Sequence, residues 1–281
     1  MTVQSPNHQE EPDKQTARAH TLWHSYLTGD LSQLGAQVKL TRYIFKHLPT
    51  DPRCKVCNAP FRGVGGAIVN VFGFGAGRSE YNPRLCDRCE KIVKKRQVGL
   101  EVHLALLFAD VRGSTPLAEE IGATAFHQLI NRYYKTSVEV LTRTDALVNR
   151  LIGDALIGLY VPGIAGPDYA RAAIQAARTL LEATGHADPG GPWIQVGVGV
   201  HTGMAYVGAV GASDSVSDIT VLGDAANTAA RLSAQAGPGE VFVSEETCRF
   251  AKLSLENCES RTLNLKGRSE PVPVRVIRVS A

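Results

Sequence analysis

The sequence predicts an α+β protein, a sandwich of strands crossed by helices on one face, preceded by a small cysteine-bearing segment. Three observations carry this expectation. Residues 96–281 alternate short apolar runs of strand length with stretches of helical periodicity. Gly153-Asp154 separates two of those runs as a hairpin tip would, although Asp-Gly is the commoner order. Four of the six cysteines stand in two C-x-x-C pairs ahead of that region.

Met1 to Gln15 is polar and acidic, with Glu10, Glu11 and Asp13, and lacks the basic start and apolar run of a signal peptide. Helical spacing begins at His20–Tyr26 and returns over Leu31–His47, where Leu34, Val38, Tyr43 and Ile44 lie near one face. Residues 1–50 therefore read as a disordered start followed by a helical segment. Residues 51–95 hold Cys54, Cys57, Cys86 and Cys89 around a glycine-rich middle. Gly63, Gly65, Gly66, Gly73, Gly75 and Gly77 read as turn glycines, because no G-x-G-x-x-G lies between a strand and a helix. Two C-x-x-C pairs with 28 residues between them, in a chain without a secretion signal, point to a tetrahedral four-cysteine metal site. Zinc is the expected metal, an iron–sulfur cluster the alternative, and a redox dithiol the third reading. Cys248 reads as a small core residue and Cys258 as a surface thiol. The basic run Lys91, Lys94, Lys95 and Arg96 reads as a solvated face, or as a helix relaying the state of the cysteine segment.

In residues 96–281, Val102–Ala109 reads as a strand ending at Asp110. A helix follows over about Leu117–Arg143, with Thr115 as its expected N-cap and Pro116 at the first helical position. Phe126, Leu129, Ile130, Tyr133, Ser137, Val140 and Leu141 recur on one of its faces. Ala146–Leu151 and Ala155–Tyr160 read as strands, and Tyr169–Ala183 as a second helix. Trp193–Val200 and Ala205–Val210 read as strands around a turn at His201-Thr202-Gly203. A short helix over Ala225–Ala234 precedes strands at Glu240–Val243 and Pro271–Val279.

The net charge of +3 is too small to argue for a nucleic-acid partner, and no basic stripe interleaved with aromatic residues appears. No apolar run approaches the roughly 20 residues that cross a bilayer. The expectation is a soluble, cytoplasmic protein with no membrane and no nucleic-acid partner.

Asp110 closes a strand and leads into Val111, Arg112, Gly113, Ser114 and Thr115. A glycine there lets the backbone approach a ligand, and the free N–H groups of the first helical turn can hold phosphate oxygens. Asp154 sits at a hairpin tip. Two carboxylates on rigid turns suit Mg²⁺, which takes one or two carboxylates with waters and phosphate oxygens. Each aspartate alone is better read as a turn or cap residue, and spacing does not bring the two together.

These residues resemble the class III adenylate/guanylate cyclases. Leu107-Phe108-Ala109-Asp110-Val111-Arg112-Gly113-Ser114-Thr115 is similar to the family's first metal motif, and Leu151-Ile152-Gly153-Asp154-Ala155 to the second. Gly199-Val200-His201-Thr202-Gly203 is similar to its central hairpin. Thr220 through Leu232 resembles the transition-state motif, and Leu265-Lys266-Gly267 the late phosphate-binding motif. Five motifs in the family's order, over about residues 100–280, are far more specific than any one of them.

The resemblance implies a ferredoxin-like βαββαβ sandwich over 96–281, acting as a homodimer with shared sites. It implies that Asp110, Asp154 and the carbonyl of Val111 hold two Mg²⁺ or Mn²⁺ ions. Asn227 would orient the ribose and Arg231 would stabilise charge at the transferred phosphorus. Lys266, with the Gly113, Ser114 and Thr115 turn, would hold phosphates. The positions that read the purine fall on Arg150 and Thr220. Arg150 stands where adenylate cyclases usually carry lysine, and Thr220 is found in a bacterial subgroup of adenylate cyclases. The implied reaction is the conversion of ATP to 3′,5′-cyclic AMP and pyrophosphate, a signalling activity. The alternatives are a guanylate or relaxed-specificity cyclase acting on GTP, or a catalytically weak regulatory domain.

Overall fold

The structure is a computed structural model that describes residues 14–49, 52–71, 77–79, 82–211, 217–268 and 270–279. Gly73, Gly75, the acidic start through Asp13 and the side chains of residues 149–152, Arg150 among them, lie outside the described residues. In chain order the elements are α1 (Lys14–Thr28), α2 (Ala36–His47), α3 (Gly63–Val71), α4 (Asp87–Arg96), β1 (Gly99–Val111), α5 (Ser114–Ile121), α6 (Ala123–Arg143), β2 (Leu147–Ile152), β3 (Ala155–Tyr160), α7 (Pro162–Ala165), α8 (Tyr169–Ala183), β4 (Val196–Gly211), β5 (Ser217–Leu222), α9 (Asp224–Gln235), β6 (Glu240–Ser244), α10 (Glu245–Ala251), β7 (Glu259–Leu263) and β8 (Val272–Arg278).

The strands form one sheet in the order β2-β3-β1-β4-β6-β8-β7, with β5 paired to β4. Its first four strands, with α6 and α8, make the βαββαβ arrangement implied by the motifs. Alternation along β1 gives the sheet two apolar faces. Ala105, Leu107, Ala109 and Val111 point into one core with Tyr133 and Leu141 of α6 and Ala173, Ala177 and Leu180 of α8. Val102, Leu104 and Leu106 point into the other, against Trp23, Tyr26 and Leu27 of α1, Val93 of α4 and Ala225 and Ala229 of α9. The N-terminal segment thus supplies much of the cover for one sheet face. Trp23 is fully packed there and its indole N–H donates to the Val207 carbonyl of β4 at 3.0 Å.

Several local expectations need correction. The long helix after Asp110 starts earlier and is broken. Gly113, not Thr115, is the N-cap residue, and Gly122 (φ 80°) ends α5 before α6 begins. The expected turn at His201-Thr202-Gly203 is absent, because β4 runs through it, pairing Gly203 with Leu104 and His201 with Leu106. A 13-residue β1 offers a ladder long enough to keep β4 extended. The segment at Gly63 forms helix α3 rather than a loop. Gly65 serves there by close approach, since a Cβ would lie 2.3 Å from the Pro49 carbonyl. In α2, Tyr43 and Ile44 are exposed, and Phe45 is the residue that reaches the core. Cys248 is a core residue as expected, while Cys258 is half-buried against the core rather than a free surface thiol.

The motif around Gly199 has a packing reason. A Cβ on Gly199 would lie 2.3 Å from the Ser233 nitrogen and 2.6 Å from the Ala229 carbonyl. One on Gly197 would lie 2.6 Å from the Ala236 carbonyl. The backbone of α9 therefore rests directly on a floor of β4 glycines. Gly199→Ala is expected to destabilise the fold by about 1–3 kcal/mol through overpacking. Gly190→Ala, where nothing lies within 4 Å, is expected to leave the melting temperature unchanged. Thermal unfolding of both variants checks this.

Candidate active site

The β1–β3 ladder pairs Asp110 with Ala155, and so sets the Asp110 carboxylate next to the hairpin tip that carries Asp154. The two acids interact electrostatically. Partial burial raises the Asp110 pKa, the neighbouring Arg112 opposes that rise, and the charge of Asp154 adds to it. The Arg112 guanidinium forms an ion pair with Asp110 and also donates to the Ala234 carbonyl at the end of α9, 3.1 Å away. The tip is anchored by Tyr134 of α6, whose hydroxyl donates to the Gly153 carbonyl. Burial, and then Asp154, raise the Tyr134 pKa.

Val111 is buried and continues the strand, and Gly113 turns the chain in a left-handed conformation (φ 65°) into α5. No side chain caps that helix, so the N–H groups of Ser114 and Thr115 carry no side-chain cap bond. Such a turn favours an anion.

A second group of residues stands on α9 and the turn before β8. Buried Ala225, Ala226, Ala229 and Leu232 fix which side of α9 meets the sheet. That leaves Asn227 exposed and Arg231 half-buried on the outward side, one turn apart. Leu265 is 3% exposed and holds the following turn in the core with Leu232, which projects Lys266 into solvent. The Arg231 guanidinium lies over Gly267, where a Cβ would be 3.3 Å from Nη2. Arg268 ties the same turn to α9, donating to Thr228 Oγ1 at 2.9 Å and pairing with Asp224 at 3.2 Å. Thr220 is half-buried on β5, paired with Gly208 of β4.

The chain thus brings Asp110 to Asp154, and Arg231 to the Lys266–Gly267 turn. Among the described residues, no hydrogen bond or ion pair joins Asp110 or Asp154 directly to Asn227, Arg231 or Lys266; Arg112 bridges Asp110 to the backbone at the end of α9. Three side chains were missed by reading motifs alone: Arg112, Tyr134 and Arg268. Arg112 lay inside the quoted motif and Arg268 two residues beyond Lys266. Their partners, at Ala234, Gly153 and Thr228, are visible only in three dimensions.

The four paired cysteines converge as expected. Their sulfur atoms all lie within 4.8 Å of one another. Cys54 and Cys57 flank a tight turn in which the Asn58 N–H donates to the Cys54 carbonyl at 2.8 Å. Asn58 itself is left-handed (φ 63°). Cys86 is the N-cap residue of α4, and Cys89 lies in its first turn. Hydrogen bonding among the sulfurs holds the Cys54 thiol well below its ordinary range and drives Cys57 and Cys89 above theirs. Four thiolates cannot coexist at this spacing without a cation between them, so the donor set fits a thiophilic metal.

Residues 100–276 match the Adenylate and Guanylate cyclase catalytic domain. An uncharacterized protein of Mycobacterium bovis is 31% identical over 195 residues, covering 65% of this chain and 33% of its own. An uncharacterized Mycobacterium tuberculosis protein is 30% identical over 182 residues, covering 63% of this chain and 33% of its own. The chain therefore spans a third of the length of these curated relatives. Among solved structures, the adenylyl cyclase CyaB from P. aeruginosa superposes with a TM-score of 0.56 at 26% identity, covering 64% of this chain and 96% of that one. The guanylyl cyclase Cya2 shares the fold with a TM-score of 0.57 at 23% identity, over 64% of this chain and 94% of that one. With the motif residues and the βαββαβ sheet, the match over more than half of its length means that the chain belongs to the class III adenylate/guanylate cyclase family.

Proposed function

We propose that this chain is an adenylate cyclase that converts ATP to 3′,5′-cyclic AMP and pyrophosphate at two equivalent sites of a homodimer. The observation that carries the reading is the separation of two complementary half-sites on one chain. Asp110 and Asp154 form an acidic half, and Asn227, Arg231 and Lys266 form a polar and cationic half; among the described residues none of these three side chains bonds to either acid, and only Arg112 bridges Asp110 to the backbone at the end of α9. A two-fold dimer joins unlike patches twice and so completes two sites. Exposed apolar side chains along β4 and β5, Met204, Val210 and Leu222, support a subunit contact there.

Class III cyclases use divalent metal ions. Asp110, Asp154 and the Val111 carbonyl are the groups that would hold two Mg²⁺ or Mn²⁺ ions, which supply charge neutralisation and polarise phosphate oxygens when bound. The raised pKa of Asp110 and its proximity to a second carboxylate are the marks of a site that gains from a cation. The residues divide the remaining work. The Gly113–Thr115 turn offers backbone N–H groups to the phosphates, and Lys266 offers its ammonium to the outer ones. Asn227 orients the ribose so that its 3′-oxygen faces the α-phosphorus. That oxygen gives its proton to solvent water and bonds to phosphorus as the bond to the pyrophosphate oxygen breaks. Arg231 stabilises the charge that develops on the phosphorus oxygens.

Thr220 can accept from an adenine amino group, which supports ATP. Arg150 favours a second reading, a relaxed choice of base, because a planar guanidinium does not replace a lysine ammonium at a point contact. The four-cysteine site is read as zinc, with an iron–sulfur cluster as the alternative. Its helix α4 leads from the cluster towards β4 and β5, which supports regulation of the dimer by the N-terminal segment.

Purified protein given ATP or GTP in parallel with Mn²⁺ or Mg²⁺ is expected to form cyclic AMP in preference, measured by chromatography of the products. No cyclic product from either triphosphate would sink the enzymatic reading. Asp110→Ala is expected to abolish turnover, and Arg231→Ala to lower kcat by about 10²–10³-fold, the usual loss for a transition-state donor. Elemental analysis is expected to return one zinc per chain. Cys57→Ser should release it and lower the melting temperature; stoichiometric iron with visible absorbance would reverse the assignment.

A further inference from the structure

A second concave site lies away from Asp110, Asp154 and Arg231. Helix α2, the Cys54–Cys57 turn and the α6–β2 connection border an open groove of about 890 Å³, within the size range of small-molecule sites, roughly 300–1,000 Å³. Six cationic side chains line it: Lys39, Arg42, Lys46, Arg53, Lys55 and Arg84. Among the described residues that line it, Asp145 is the one carboxylate. A divalent ion held by four thiolates would add a net charge of about minus two nearby. With Asp145 also counted, three positive charges stay without a counter-charge among the described lining residues.

The cations are unequally engaged. Arg53 donates to the Phe45 and Leu48 carbonyls, and Lys39 to the Ser32 carbonyl at 2.9 Å. Lys55 and Arg84 share one oxygen of Asp145, at 3.2 Å and 2.6 Å. Arg42 reaches only the Lys55 carbonyl, at 3.5 Å, and Lys46 has no partner among the described residues. Arg42 is half-buried, and that burial lowers its pKa while the nearby Cys57, Cys54 and Cys89 sulfurs oppose the shift. At the rim, Tyr43 is 64% exposed and Leu31 is 44% exposed, which offers an aromatic and apolar edge beside the charges.

We propose that this groove binds a small oligophosphate-bearing molecule through Arg42 and Lys46, in competition with Asp145 for Lys55 and Arg84. Phosphate oxygens match this donor set, a guanidinium fork beside ammonium groups. The competition has a structural consequence. Asp145 holds a left-handed turn (φ 62°) directly before β2, the strand that carries Arg150 and leads to Asp154. Asn82, from the same N-terminal segment, donates to the Val148 carbonyl of β2 at 3.2 Å. A ligand that draws Lys55 and Arg84 from Asp145 loosens one of the ties between the N-terminal segment and β2. The effect on nucleotide turnover rests on the cyclase reading above; the binding does not.

The test is calorimetric titration of inorganic tripolyphosphate into the 281-residue chain carrying Arg231→Ala and Lys266→Ala, with no added divalent cation. Those two changes remove the cationic side chains of the proposed catalytic site, leaving only the backbone N–H groups of the Gly113–Thr115 turn, which Arg42 and Lys46 do not touch. One site per chain is expected, with affinity that falls as salt rises. Adding Arg42→Gln and Lys46→Gln is expected to weaken it at least tenfold. Adding Asp145→Asn instead, which removes the competing charge and keeps a residue suited to the left-handed turn, is expected to tighten it severalfold. No binding at millimolar tripolyphosphate, or equal binding by all three proteins, overturns the proposal. So does loss of metal from the Arg42/Lys46 variant without loss of binding, which would assign these cations to offsetting thiolate charge alone.

Discussion

Two carboxylates held side by side at the end of paired strands are the constraint on which the site depends. The register that pairs Asp110 with Ala155 leaves Asp154 at the adjoining tip, and the fold cannot relax that contact without slipping β1 against β3. A one-residue slip would turn Leu107 and Ala109 out of one core and Leu104 and Leu106 out of the other. The hydrophobic alternation of β1 thus enforces an electrostatic conflict. Arg112 relieves it in part, and in doing so ties the acidic pair to the carboxyl end of α9. A half-buried acid whose proton is held more tightly than usual, beside a second acid, gains from divalent cations, and the proposed chemistry uses that gain.

The other half of the proposed site depends on close backbone packing. Helix α9 rests on Gly197 and Gly199 with no room for a Cβ, and its alanine-rich inner side permits this. Asn227 and Arg231 are left on the outer side, and Arg268 pins the Lys266 turn alongside. Among the described residues, no hydrogen bond or ion pair joins either acid to Asn227, Arg231 or Lys266 within one chain; the one tie runs through Arg112 to the α9 backbone. The N-terminal segment lies on the same sheet face as the start of α9 and contributes Trp23, Tyr26 and Leu27 to that core. The four-cysteine cluster is thereby built onto the sheet that carries the proposed site, through α4 on one side and the Asp145 ion pairs on the other.

Much of this was legible in the sequence where local rules decide the outcome. The helix over Tyr169–Ala183 was read to the residue because its apolar period is strong and its ends are marked. The Gly153-Asp154 tip and the two cysteine pairs were legible from turn chemistry and ligand spacing. The failures were tertiary. A Gly-x-x-x-Gly string flanked by strand-like runs looks like a turn, and only the 13-residue partner β1 keeps Gly199–Gly203 extended. The glycines near Gly63 look like loop residues until Pro49 is found against Gly65. Tyr43 and Ile44 fit a helical stripe, yet the neighbouring chain leaves them facing solvent and takes up Phe45. Arg112, Tyr134 and Arg268 carry no local signal, because each acts on a carbonyl or hydroxyl far away in the chain.

The central claim is that each catalytic centre takes its acids from one protomer and its arginine from the other. Subunit complementation tests it most directly. Inactive Asp110→Ala protein mixed and re-equilibrated with inactive Arg231→Ala protein should regain turnover, approaching one quarter of wild type. Half of the randomly formed dimers are then mixed, and each holds one intact site. A mixture as inactive as its two components, with heterodimers demonstrated by mass, would contradict the account.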